Sequence, residues 1–229
     1  MKIMDIIKLI PSQPYVIICE GKDEKKFLIN FLEYLKKTND SFQDCHRIID
    51  FGGIDDVRQG LQNIKNIRHY GKMKSFLIIR DAEKDAMGAI DSVISIIKKV
   101  WGVDLGIDGG IQQDDTGVKI GFFLFPGMGE NGKFRDGTLE DLCVDLLRDF
   151  EEPISAKEIL ALTDEYLRNI TKIREKEMIR HHKNRIHVFF SGTDKFVGSK
   201  IGEAADKGAF DFSNTKLLRL QKLILETQD

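Results

Sequence analysis

The chain has 229 residues, of which 41% are hydrophobic and 31% are charged. This composition is typical of a globular protein with a sizeable core, and it excludes disorder as the main state. The longest apolar runs have the length of strands, far below the roughly 20 residues that a bilayer span needs. Asp5, Lys8 and Pro11 interrupt the apolar N-terminus, so no secretory signal or membrane span is expected. The net charge of −2 means that nucleic-acid binding would require a local basic patch.

The three cysteines, Cys19, Cys45 and Cys143, are odd in number, widely spaced and never arranged as Cys-x-x-Cys. This pattern argues against a disulfide framework and against a zinc knuckle. It indicates reduced thiols, and we therefore expect a cytoplasmic protein.

Strand-like and helix-like segments alternate along the first two thirds of the chain. The continuous apolar, β-branched run at residues 15–19 predicts a strand buried on both faces. The segments that follow are predicted, in order, as helix 23–37, strand 47–51, helix 55–69, strand 74–80, helix 85–100, a loop or short hairpin at 102–117, and strand 119–125. Such alternation predicts an α/β fold with right-handed crossovers and a mostly parallel sheet of four or slightly more strands, flanked by helices.

The pattern changes after residue 125. Residues 126–137 contain four glycines and predict a long loop, and residues 138–150, 155–170 and 215–225 predict helices. The stretch at 171–191 is ambiguous, because its apolar end could close a helix or form a strand. We predict an α/β core at residues 1–150 and a C-terminal helical part at residues 151–229 that packs on it.

Carboxylates follow three of the predicted strands. Glu20 and Glu24 come after the first strand, Asp50 ends the second, and Asp81 and Glu83 follow the third. In open α/β sheets the functional groups lie at the carboxyl ends of the strands, and clustered carboxylates repel one another unless a cation is bound. Oxygen ligands of this kind suit Mg²⁺ or Mn²⁺. The alternative for any single acid is a solvated side chain that caps the next helix.

Two of these segments resemble a known family. Glu20-Gly21-Lys22-Asp23-Glu24 resembles the first motif of the Toprim domain, and Asp81-Ala82-Glu83 resembles its second motif, which is usually Asp-x-Asp. The whole chain is more similar to a family of stand-alone Toprim-like proteins of unknown function. The further segments that carry this resemblance are Gly52-Gly53, the block from Gly137 to Leu142, the segment from Lys183 to Phe190, Gly202-Glu203-Ala204 and Asp211.

The resemblance implies a metal-dependent enzyme that acts on nucleic-acid phosphodiesters, as in the nucleases of the OLD family. Carried over by position, it implies a site for Mg²⁺ or Mn²⁺ with the ligands Glu20, Glu24, Asp81, Glu83 and Glu140. It also implies catalytic roles for Glu20 and Lys183, of which the lysine would stabilise phosphate charge.

Two positions depart from the family pattern. Glu83 stands where Asp is usual, and Arg80 directly precedes Asp81. An Arg80 side chain that points into the acids would pair with them and displace a cation. That arrangement would favour the alternative function, a non-catalytic binding or regulatory module with a degenerate metal site. A third reading is a small-molecule phosphohydrolase on a similar sheet.

A local basic stretch provides the candidate contacts to nucleic acid. Its members are Lys172, Arg174, Lys176 and Arg180. The alternative is a solvated helix face with internal ion pairs. The partners left open are DNA or RNA, a second copy in a homodimer, and a separate ATPase, since the chain has no G-x-x-x-x-G-K-[S/T] motif of its own; no membrane partner is expected.

Overall fold

The computed structural model describes residues 13–52, 61, 70–148, 154–178 and 180–228. Its centre is a five-stranded sheet in the order β2-β1-β3-β5-β4. The strands are β1 (Tyr15–Cys19), β2 (His46–Asp50), β3 (Ser75–Asp81), β4 (Gln112–Gln113) and β5 (Lys119–Phe125). All neighbours pair in parallel except β4, a two-residue edge strand antiparallel to β5. The predicted α/β class and mostly parallel sheet are confirmed.

The three central strands are apolar because both of their faces are covered. Every residue of β1 is buried, and so are nearly all of β3 and β5. In the middle of the sheet Ile78 is aligned with Ile18 on one side and Phe122 on the other. A strand buried on both faces cannot alternate apolar and polar residues, which explains the continuous hydrophobic runs in the sequence.

Seven α-helices lie in the described part of the chain. They are α1 (Lys22–Thr38), α2 (Ala86–Trp101), α3 (Leu139–Asp145), α4 (Ala156–Arg174), α5 (His181–Ser191), α6 (Ile201–Asp206) and α7 (Leu218–Glu226). Helix α1 buries Phe27 and Phe31, and α2 buries Val93 and Ile97, so each covers the sheet with one apolar stripe. None of the described helices is long and apolar enough to cross a membrane.

The C-terminal helices share the core of the sheet. The Phe27 ring of α1 packs against the rings of Phe210 and Phe212, with centroids 6.0 and 5.3 Å apart. Helix α6 lies directly against α1 at Gly202, where an added Cβ atom would come within 2.5 Å of the Cβ of Lys26. Only glycine permits this approach of the two helices.

Several element boundaries differ from the sequence-based predictions. Helix α3 ends at Asp145, earlier than predicted. The ambiguous stretch is helical at its end, since α5 runs through the Val188-Phe189-Phe190 triplet. Residues 102–117 were predicted as a loop or short hairpin, and they contain the short strand β4, which pairs with β5. The predicted helix at 55–69 lies outside the described residues, apart from residue 61.

Candidate functional site

The carboxyl ends of β1 and β3 bring two of the predicted acids to one edge of the sheet. Strands β1 and β3 are parallel neighbours, Glu20 directly follows β1, and Asp81 is the last residue of β3. Gly21 is the extended N-cap of α1, so the chain turns immediately and places Glu24 in the first helical turn. The strand order therefore brings together Glu20 and Asp81, which are 61 residues apart in sequence, as the sequence predicted.

Asp81 is the most buried of these acids, with 5% of the residue exposed. Its Oδ1 accepts the backbone N–H of Leu139 at 2.8 Å. Burial raises the pKa of Asp81 to about 8, and the charges of Glu24, Glu140 and Glu20 add to the shift, while the Leu139 N–H opposes it. The carboxyl group is therefore protonated at neutral pH when no cation compensates its charge.

Glu24 lies in the same electrostatic environment. A Cβ atom at position 21 would come 2.6 Å from Oε2 of Glu24, so the carboxylate folds back over the start of α1. Burial raises the pKa of Glu24, a backbone N–H in the first turn of α1 opposes the shift, and the charges of Glu140 and Glu20 add to it. The Glu24 carboxylate thus occupies space that is free because residue 21 is a glycine.

Glu140 enters the cluster from α3 and is paired with the predicted lysine. The Nζ of Lys183 lies 3.3 Å from Oε1 of Glu140, and the glutamate side chain is only 9% exposed. Partial burial acts to lower the pKa of Lys183, but Glu140, followed by Asp81 and Glu24, outweighs it and holds that pKa above its usual value. Lys183 therefore interacts electrostatically with three of the acids.

Arg80 points into the acids. Its Nε lies 2.8 Å from Oε1 of Glu20, and both side chains are largely buried. The two atoms do not meet hydrogen-bond geometry, so the contact is an ion pair without a linear N–H···O bond. Burial raises the pKa of Glu20 and the charge of Glu83 adds to the rise, whereas Arg80 opposes the shift without cancelling it. Glu20 is therefore already engaged by a cation of the chain itself.

Glu83 occupies the rim of the site. It is exposed, and its backbone has a φ of 58°, a left-handed conformation that side-chain-bearing residues rarely adopt. Two backbone hydrogen bonds with Gly137, of 2.8 and 2.6 Å, hold it there. A surface pocket of about 310 Å³ opens beside it. The pocket is lined by Glu83, Lys84, Asp136, Gly137, Thr138 and His182.

The basic stretch lies on the surface, at the end of α4 and in the connection to α5. Its four members Lys172, Arg174, Lys176 and Arg180 are all exposed. Glu175 ends α4 and Arg180 caps α5, both in the left-handed conformation, so the stretch turns sharply just before α5 delivers Lys183 to the acids. The sequence thus links the basic surface to the acid cluster through one short helix.

The fit of a divalent cation can be judged from the donor set. Among the described residues, no three His, Cys, Asp or Glu side chains form a group that could hold a metal ion. Arg80 and Lys183 already neutralise Glu20 and Glu140. The donors are nevertheless all carboxylate oxygens, and Mg²⁺ is commonly held by only one or two carboxylates together with water and substrate phosphate. Asp81 and Glu24 are the members of the set that could supply these carboxylates.

Two contacts at the site were not predicted. The Leu139 N–H that binds Asp81 comes from the start of α3, where Asp141 accepts the Thr138 N–H at 2.9 Å. The Thr-x-x-Asp spacing of residues 138–141 is a signal for the helix start that the sequence predicted at residue 138, but it does not predict the contact with Asp81. Asp50 is the other case, since Lys25 binds it at 2.9 Å and thereby takes it out of the acid cluster.

The acid residues and the fold lie within a segment that matches a known family. A family model described as a protein of unknown function, DUF3226, matches residues 14–226. No curated protein and no solved structure matches the chain. The match covers nearly the whole chain and includes all the residues of the candidate site, so the chain belongs to the DUF3226 family of proteins of unknown function.

Proposed function

We propose that this protein is a Toprim-like, divalent-metal-dependent enzyme that acts on nucleic-acid phosphodiesters. The observation that carries the proposal is the buried carboxyl of Asp81, whose pKa is raised to about 8 by burial and by the neighbouring Glu24 and Glu140. Carboxyl groups that perturb one another in this way at the functional edge of a parallel sheet are characteristic of a catalytic site.

The repulsion within the cluster gives a bound cation its affinity. Metal-free, the site keeps Asp81 protonated; a divalent ion would replace that proton and relieve the repulsion with Glu24. When bound, Mg²⁺ or Mn²⁺ would supply an activated water and a positive charge for the leaving oxygen.

The basic side chains of the protein would bind the phosphate groups of the substrate. Lys183 is the lysine that pairs with the acid cluster, and with 44% of its side chain exposed it can turn from Glu140 to a phosphate oxygen. The exposed basic residues next to α5 would contact the backbone of the nucleic acid. The order of motifs that resembles the Toprim domain supports the same assignment, and the three free cysteines suit a cytoplasmic setting.

One observation favours a second function, a binding or regulatory module with a degenerate metal site. Arg80 lies at 2.8 Å from Glu20, in the arrangement expected if a chain cation replaces a metal. In this case the protein would still bind nucleic acid through its basic surface, but it would not cleave phosphodiesters. The two functions differ in what Arg80 does, and a substitution at this residue separates them.

The experiment measures Mn²⁺ and Mg²⁺ binding by calorimetry and then cleavage of plasmid DNA and of RNA. Wild type, Asp81→Asn and the control Asp104→Asn are compared, since Asp104 is an exposed carboxylate paired with Lys98 outside the acid cluster. We expect binding and cleavage in wild type and control, and loss of both in Asp81→Asn. Wild type that binds no metal at millimolar concentration contradicts the enzyme. If Arg80→Met then gains metal binding, the degenerate module is supported.

A further inference from the structure

Helix α4 presents an apolar stripe to solvent. Leu162, Tyr166 and Ile173 are 58%, 52% and 78% exposed. Their spacing of four and seven residues places them on one side of the helix. Single exposed apolar residues are ordinary, but three large ones in line along about 17 Å of helix indicate a contact surface.

The stripe is distinct from the face that joins α4 to the protein. Ile159, Thr163 and Leu167 are buried and form the inner face. On the flank opposite the stripe, the guanidinium of Arg185 binds both carboxylate oxygens of Asp164 at 2.6 and 2.7 Å. The inner face and a bidentate ion pair therefore anchor the helix, and the residues of the stripe take part in neither contact.

The residues beside the stripe are complementary to a reversed copy of themselves. If a second α4 lies antiparallel about a two-fold axis near residue 168, Leu162 faces Ile173 of the second copy, and Tyr166 faces its Ile170. Glu165 and Lys172 lie on the same edge of the stripe, and both are exposed. The same axis places Glu165 opposite Lys172 of the second copy, twice per pair of helices.

Asn169 gives this pairing a defined register. It lies within the stripe, between Tyr166 and Ile173, and is exposed. The two-fold axis brings it close to Asn169 of the second copy, where two amides can bond to each other. A single polar residue in an apolar helix seam fixes the alignment of the two helices.

We propose that a second copy of this chain docks antiparallel on α4 and forms a two-fold symmetric dimer, held by the apolar stripe and by reciprocal Glu165–Lys172 pairs. Isologous two-fold dimers are the commonest symmetric assembly, and they require a self-complementary surface of this kind. This assigns Lys172 to the dimer contact and not to nucleic acid. The proposal does not depend on the metal site, and its test measures mass, not activity.

Charge exchange tests the pairing directly. The full chain and three variants, Glu165→Lys, Lys172→Glu and the double exchange, are compared by sedimentation over about 5–200 µM. We expect a wild-type dimer, at least tenfold weaker association in each single variant, and association within threefold of wild type in the double exchange. In each single variant both attractive Glu165–Lys172 pairs become repulsive like-charge pairs. The double exchange restores the attraction in both pairs.

Two results overturn the proposal. The first is a wild type that stays monomeric at 200 µM, and the second is a double exchange no stronger than the single variants. Tyr166→Glu is the control for the apolar part, and we expect a monomer whose thermal midpoint equals that of wild type diluted until it is monomeric, because the side chain is exposed in the monomer. If the protein is monomeric and Tyr166→Ala weakens binding of single-stranded RNA or DNA, the surface serves nucleic acid and the dimer is excluded.

Discussion

The protonation of Asp81 connects the candidate site to the stability of the fold. An ordinary aspartate has a pKa of 3.8, whereas burial and the neighbouring acids raise that of Asp81 to about 8. Between these values the folded state holds a proton that the unfolded state has lost. Stability must therefore fall as the pH rises, the reverse of the usual behaviour of a salt-bridged aspartate.

Asp81→Asn is expected to remove this dependence. In wild type, with a chelator present, the free energy of unfolding should decrease between pH 6 and 8 by up to about 1.4 kcal/mol per pH unit, because one proton is released on unfolding. The asparagine keeps the shape and holds no titrating proton, so its profile should be flatter. Urea unfolding at a series of pH values measures this, with Asp104→Asn as the control that keeps the wild-type slope. Equal slopes in wild type and Asp81→Asn would contradict the raised pKa.

The sequence predicted which acids lie at the site, but it did not predict which groups of the chain neutralise or hold them. Glu20 and Asp81 were found because parallel strands end at one edge, which is a rule of topology. The direction of Arg80 could not be predicted, since a residue near a strand end can point to either face and only packing decides. The left-handed backbone of Glu83 was also unforeseen, because two hydrogen bonds to Gly137, 54 residues away, impose it.

At the scale of elements, local patterns gave reliable strands and less reliable helix ends. The bounds of β1 and β5 agree with prediction, because their runs are apolar throughout and end abruptly. Helix α5 was ambiguous, since it buries only Ile186, Phe189 and Phe190 and begins with a charged turn. Its position depends on tertiary contacts, notably the pairing of Lys183 with Glu140.

This pairing leads to a prediction about the docking of α5. Lys183→Met should lower the free energy of unfolding by about 1–3 kcal/mol, because it leaves the buried Glu140 carboxylate without its cation. Lys98→Met is the matched control, as its partner Asp104 is exposed, and it should change stability by less than about 0.5 kcal/mol. Chemical denaturation at pH 7.5 compares the two. Similar losses of unfolding free energy in both variants would show that the Lys183–Glu140 pair stabilises the fold no more than an exposed ion pair does.

At the scale of the whole molecule, the two parts expected from sequence are joined by one hydrophobic core. A single cluster of buried residues runs from β1 and α1 through α3 to Phe210 and α7. Polar contacts follow the same path, since Lys119 of β5 binds the carbonyl of Glu226 and the Arg148 guanidinium binds that of Phe210. The division at residue 150 stays a prediction about chain organisation, and the packing leads us to expect one unit of folding.

Two probes can establish whether the parts unfold together. Trp101, the one tryptophan of the chain, is buried against Phe76 and reports on the sheet, whereas far-UV circular dichroism reports on all helices, including α4 to α7. We expect coincident urea transitions, because separating the parts would expose Phe27, Phe210 and Phe212. Gly202→Ala forces α1 and α6 apart and should shift both transitions equally to lower urea. A circular-dichroism transition that precedes the tryptophan signal would instead reveal a C-terminal part that unfolds on its own.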